Sequence, residues 1–434
     1  IRGVGSQSGE NVLYVVDGYV LPNADNFNQI NPSDIESMEV LKDAAAAAIY
    51  GARAGNGVVI VTTKRGKEGK TKFDVSASTG IQETIKRYDL MNKDEYLNYA
   101  KRAAEIRGVK TPDFFNNSDL PNTDWQDLIF RTAMVSNYNL SASGGSEKVK
   151  YVVSGGYLDQ DGTLKGTGYK RMTLRTNLDA DLSDKLKLGI SFAPSYSQQF
   201  RLPTVGQWNN TQGNNSIEDN IGGVGAGFGR SLPNVLQCAY LMVPVLPSRN
   251  ANGDYAQPNA SPATSQYGFL QSNMYNPLAA IENVTNRARN YRILANNFLE
   301  WTTPVKNLKL KTAIGATLDV LDQYVYIPAI VSTNDNSFAN VTTPAISNIY
   351  SSERTRRSLD WLWENTANYQ TAFGPEKQHN LSALAFFTFQ KFSAKELVVN
   401  GTPGTYTNSF VENPLASNNL QGNLAYGLND FTSV

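Results

Sequence analysis

Over residues 72–82 the chain alternates, with Phe73, Val75, Ala77, Thr79 and Ile81 on one side and Lys72, Asp74, Ser76, Ser78 and Gln82 on the other. A period of two is that of a β-strand with one oily and one wet face. The pattern returns at 148–158, where Val149, Tyr151, Val153 and Tyr157 share a face, and at 185–196 with Leu186, Leu188, Ile190 and Phe192. At 171–182, Met172, Leu174, Leu178, Ala180 and Leu182 oppose Arg171, Thr173, Arg175, Asn177, Asp179 and Asp181. Further copies at 291–301, 308–320, 359–369, 381–389 and 420–428, with a weaker one at 138–142, bring the total to about ten strands. Strands of about 10 residues exceed the 5 or 6 typical of globular sheets and suit a tilted crossing of a bilayer.

The connections carry a second signal. Short links at 144–147, 183–184, 304–307 and 374–377 alternate with longer ones at 159–168, 200–290, 322–357 and 391–418. Turns at one end and loops at the other are the pattern of an outer-membrane barrel. Aromatic residues near strand ends, among them Tyr169, Tyr196, Tyr291, Trp301, Trp361, Trp363 and Tyr369, fit either interfacial girdles or ordinary strand positions. One segment breaks the period: 92–106 has Asn92 as N-cap, Glu95 three residues on and a stripe of Tyr96, Leu97, Tyr99, Ala100 and Ala103, predicting a helix over the barrel mouth.

Residues 1–70 read differently, as a small mixed α/β unit. An apolar run at 11–16 stops at Asp17-Gly18, 35–41 alternates, an alanine-rich helical turn is expected from Asp43, and 58–63 is a β-branched strand. The glycines of GARAGNG lack the spacing of a phosphate loop and are expected to cap and turn.

Composition narrows the chemistry. The 434 residues carry 39 basic and 39 acidic side chains, a formal net charge of +0, which argues against nucleic-acid or polybasic membrane-surface binding. Cys238 and His379 are the single cysteine and histidine, so a disulfide framework, a Cys/His zinc site and a Ser/His/Asp triad all fall. No metal site, cofactor or enzymatic activity is expected. The longest apolar run, 44–50, is far short of a membrane helix.

The run INPSDIESMEVLKDAAAAAIYGARAGNGVVIVTTKRGK at 30–67, preceded by YVVDG at 14–18 and IRGVGS at 1–6, resembles the plug domain of the SusC/RagA family of TonB-dependent outer-membrane transporters of Bacteroidota. The likeness continues in residues 144–192, in NTDWQDLIF at 122–130 and in YNPLA at 275–279. It implies a plugged antiparallel transmembrane β-barrel: plug at 1–70, incomplete at its N-terminus, and the first part of the barrel with long extracellular loops at 71–434. The family's signal peptide, small carboxypeptidase-regulatory-like domain and TonB box do not occur in this sequence, so no residue is assigned to TonB contact. Ten strands alone would close into a tube too narrow for a plug, whereas about 22 strands hold one, the family's number. This segment is therefore expected to supply about half the barrel of a longer chain, or else to pair with a second chain that completes the wall.

The resemblance further implies TonB-dependent import of a large nutrient, oligosaccharide ahead of oligopeptide, under a lid formed by a SusD-like surface lipoprotein, with dimers of transporter–lipoprotein pairs as a further arrangement. Candidate substrate contacts are Tyr19, Asp25 and Asn28 in the plug, and Trp208, Tyr240 and Tyr255 in the longest loop, where aromatic rings either stack on sugars or pack locally. Phe228, Tyr267 and Tyr275 share that ambiguity, and Asn209, Asn210 and Asn214 are either hydroxyl partners or turn formers. A structural or adhesive surface protein reusing the barrel is the alternative, and an ungated porin would leave residues 1–70 without a purpose.

Overall fold

The computed structural model describes residues 12–21, 27, 29–42, 54–111, 113–202, 234–256, 275–328, 331, 350–373, 379–401 and 420–429. Two sheets make up the fold. The first has strands β1 (Leu13–Val16), β2 (Tyr19–Val20), β3 (Ile35–Leu41) and β4 (Val58–Thr63) in the order β2-β1-β4-β3, with β1 and β4 parallel. β1 and β2 form a hairpin over Asp17 (φ 51°) and Gly18 (φ 89°), the two left-handed residues that a tight hairpin turn needs and that Asp-Gly supplies at low cost. The alanine-rich helix expected from Asp43 lies outside the described residues.

The second sheet has ten antiparallel strands, each bonded to its neighbour in sequence: β5 (Gly69–Gln82), β6 (Ala133–Gly145), β7 (Val149–Asp161), β8 (Gly168–Ser183), β9 (Leu186–Phe200), β10 (Thr285–Thr302), β11 (Leu308–Ile327), β12 (Tyr350–Phe373), β13 (His379–Gly401) and β14 (Leu420–Asn429). Each strand expected from period-two alternation is present, and most are longer than expected. Residues 285–290, 322–327, 350–357 and 391–401, expected in loops, belong to the sheet. The link expected at 159–168 shrinks to 162–167, a turn in which Gly162 and Thr167 are hydrogen-bonded. Long links remain at 83–132, 201–284 and 328–349, all at one end of the sheet.

Alternation sorts the wall's two faces. One carries Phe73, Leu140, Val153, Leu174, Ile293, Ile314 and Trp363, all at least 40 % exposed except Ile293 at 36 %. The other faces the plug sheet with Asn139, Ser154, Arg175, Asn177, Asn296 and Asp360. Apolar outside and polar inside is the inverse of a water-soluble protein and the rule for a barrel in lipid.

The expected helix is α1 (Lys93–Arg107), closed by the capping box of Asn92 and Glu95 and ended at Gly108 in the left-handed conformation. Ala100 and Ala104 are its buried residues, and Tyr96 and Leu97 pack on the loop core. That core joins α2 (Trp125–Ile129), α3 (Val235–Leu241) and α4 (Pro277–Asn283) to the ends of the wall through Trp125, Cys238, Tyr275, Val325 and Ile327.

Candidate functional site

The chemistry of the molecule concentrates where plug meets wall. Arg175 on β8 is 3 % exposed and reaches two plug carboxylates, Asp17 at 3.7 Å through Nη1 and Asp34 at 3.6 Å through Nε. Neither acid depends on Arg175 alone. Asp17 also accepts from the Thr63 backbone N–H at 2.9 Å and the Thr63 hydroxyl at 2.6 Å, while Ser154 donates to Asp34 at 2.6 Å. One wall cation between two plug anions, each further hydrogen-bonded, meets the condition under which buried charge is tolerated. Nearby, Asn177 donates to the Thr63 hydroxyl and the Lys64 carbonyl, and Arg65 pairs with Asp179 at 3.1 Å.

The turn that presents Asp17 also docks the next residue. The Asp17 carbonyl accepts from Asn296 on β10 at 2.7 Å. Tyr19 is 1 % exposed, its ring lies against Gly315 on β11, and its hydroxyl donates to Asp360 on β12 at 2.8 Å. Gln390 on β13 donates to both oxygens of Asp360 at 3.0 Å. A Cβ at Gly315 would sit 2.2 Å from the Tyr19 ring, so this close approach requires glycine. Asn31 makes the matching contact on the other side, donating to Asn139 at 2.8 Å and lying over Gly156. Between these anchors a crevice of about 20 Å³, lined by Asp34, Arg175, Ser195, Arg292 and Thr317, has room for a water molecule.

Of the residues singled out in the sequence, Tyr19 is buried in a plug–wall contact, with its hydroxyl on Asp360. Asp25, Asn28 and Trp208 lie outside the described residues, as do Phe228, Tyr267, Asn209, Asn210 and Asn214. Tyr240 sits on α3 with its ring edge-on to Tyr88 at 4.9 Å, and burial pushes its phenol pKa up. Tyr255 is held locally: its hydroxyl donates to Glu282 and accepts from Asn283, and Arg249 lies 4.1 Å from its ring centre. Tyr275 is fully buried beside Cys238, so local packing accounts for it. Three of the six candidates therefore fall among the described residues, Tyr19 in the plug and Tyr240 and Tyr255 in the 201–284 link. The ion cluster of Asp17, Asp34 and Arg175 was not among them; its legible traces were the Asp-Gly turn and an arginine on a wet strand face. Among the described residues no group of three or more His, Cys, Asp or Glu is placed to hold a metal ion.

A folded plug fastened to the polar face of a tall antiparallel wall defines the class of plugged outer-membrane receptors. Residues 1–58 match the model of the TonB-dependent receptor plug domain. TonB-dependent receptor P3 of Formosa agariphila is 32 % identical over 422 residues, 97 % of this chain and 36 % of the relative. TonB-dependent receptor SusC of Bacteroides thetaiotaomicron is 41 % identical over 200 residues, 44 % of this chain and 19 % of SusC. Among solved structures, the RagAB peptide importer in its "closed-closed" state superposes with a TM-score of 0.71 at 23 % identity, covering 98 % of this chain and 47 % of that one. The chain belongs to the SusC/RagA family of TonB-dependent receptors, integral β-barrel proteins of the outer membrane, and spans about a third of the length of the curated relative it matches over most of its residues.

Proposed function

We propose that the protein imports a large nutrient across the outer membrane by TonB-driven displacement of its plug, and that an oligosaccharide is the cargo ahead of an oligopeptide. The observation that carries this reading is the buried clasp of Asp17, Asp34 and Arg175: a plug fastened to the wall blocks passage until work is done on it. The hydrogen-bonding side chains of the wall's inner face, including Asn139, Ser195, Asn286 and Gln323, are mostly uncharged and suit hydroxyl-rich cargo. The partners in this reading are TonB, acting through a segment upstream of Ile1, and a SusD-like surface lipoprotein seated on the long loops, above all 201–284, in pairs that associate as dimers. No covalent chemistry is assigned to the protein.

Uptake of labelled oligosaccharides by cells expressing the protein, with and without a protonophore and with and without TonB, tests the proposal. Accumulation that needs both TonB and the proton gradient is the expected result. Uptake indifferent to both would overturn active import, and absence of any uptake with intact surface display would favour the adhesive alternative. A parallel arm with labelled oligopeptides separates the two cargo classes, since the likeness to the RagAB peptide importer is one of fold.

A further inference from the structure

The outer face of the wall is asymmetric in charge. On β9 and β10 the apolar band is bounded above by Tyr196 and Tyr291, whose ring centres are 4.9 Å apart, and below by Leu186 and Trp301. Below the band the strand ends point Leu182, Leu186, Leu310, Tyr369 and Leu381 outward, without a charged residue among them. Toward the long-loop end of each strand's own outward apolar run, the next outward position is a cation on four strands: Lys170 after Met172 on β8, Arg289 after Tyr291 on β10, Arg357 after Leu359 on β12 and Lys391 after Phe389 on β13. Arg287 and Lys395 follow at the next outward positions of their strands or just beyond.

Acids share this rim but do not cancel it. Asp159 holds Lys170 at 2.9 Å, Asp161 faces outward at the end of β7, Asp322 stands opposite Arg289 and Glu353 faces outward on β12, four acids against six cations. The rim lies at the end that carries the long loops, on the face that meets lipid and away from the plug. Cations one strand-step above a hydrocarbon band stand at the level of lipid headgroups, where each contributes about 1 kcal/mol toward an anionic surface. Rim charges serving solubility alone would have no reason to be confined to one end of the strands.

We propose that this rim, centred on Arg289 and Arg357, binds the phosphate groups of anionic lipids in the outer leaflet. The site rests on the outer-membrane location and is independent of the cargo. The test uses protein extracted from its native membrane in mild detergent and compared with the double variant Arg289→Gln/Arg357→Gln. Native mass spectrometry should show phosphorylated lipid on the unaltered protein. Added phosphatidylglycerol should raise its melting temperature more than phosphatidylcholine does, and apparent affinity should fall about 30-fold in the variant, the effect of two cations at about 1 kcal/mol each. Equal lipid retention by variant and unaltered protein would overturn the proposal. A shift reproduced by inorganic phosphate alone would also overturn it, by showing a free-anion site. An unchanged far-ultraviolet spectrum and unchanged plug protection in the variant exclude misfolding as the cause.

Discussion

Arg175 holds two carboxylates that have no solvent to turn to, so its removal costs more than the ion pairs themselves contribute. Replacing Arg175 by Met leaves Asp34 buried without a cation and Asp17 with only Arg65, 3.9 Å away, and should weaken plug docking by about 3–5 kcal/mol. Hydrogen exchange in β1 reports this as lost protection, and the triple change Arg175→Met/Asp17→Asn/Asp34→Asn should recover most of it. Gly315 is tested against Tyr19 in the same way. Gly315→Ala pushes a methyl into the ring and should loosen the turn, whereas Gly315→Ala with Tyr19→Ala should be less than additive in a double-mutant cycle. Cys238 is buried beside Tyr275, and burial pushes its thiol up to about 12. An unfolded cysteine ionises near 8.5, so the folded thiol stays protonated between pH 7 and 9, and the stability it contributes is complete below about pH 8.5 and is lost as pH rises toward 12. Iodoacetamide should label Cys238 slowly and with little pH dependence in folded protein, and quickly after denaturation.

Elements were legible in proportion to how strictly lipid on one side and a polar interior on the other imposed alternation. Residues 171–182 show it cleanly because Leu174 meets lipid while Arg175 meets the plug. Beyond the band both faces of a strand are wet and the constraint disappears, which is why 351–357, reading SSERTRR, resembled a loop although it continues β12. The plug–wall contacts could not be read at all, since nothing local links Asp17 to Arg175 or Tyr19 to Asp360. Helix α1 is the opposite case, because its signals lie within four residues of one another. Asn92 accepts from the Asp94 and Glu95 N–H groups while Glu95 returns a bond to the Asn92 N–H. Asn92→Ala should therefore cost about 1 kcal/mol, seen as faster exchange confined to the first turn of α1 with the wall unaffected.

At the scale of the whole molecule, the outward face has to be solvated by hydrocarbon. From Tyr291 to Trp301 the strand advances ten residues, about 33 Å at ~3.3 Å each, and a tilt near 40° reduces this to about 25 Å of height, the thickness of a barrel's apolar band. Ile314 on β11 lies within that band, 53 % exposed and pointing away from the plug. In lipid an arginine there loses its hydration, and Ile314→Arg should destabilise the folded barrel by about 2–4 kcal/mol. The same substitution at Tyr291, at the band's upper edge, keeps the guanidinium among headgroups and should cost about 0–1 kcal/mol beyond the lost ring contact with Tyr196. Urea unfolding of the two variants in lipid vesicles measures the difference directly. A gradient with depth requires a bilayer at this face; equal effects at the two sites, or improved stability from Ile314→Arg, would mean that water bathes the outer surface, and the exposed row from Phe73 to Trp363 would then need a protein partner to cover it.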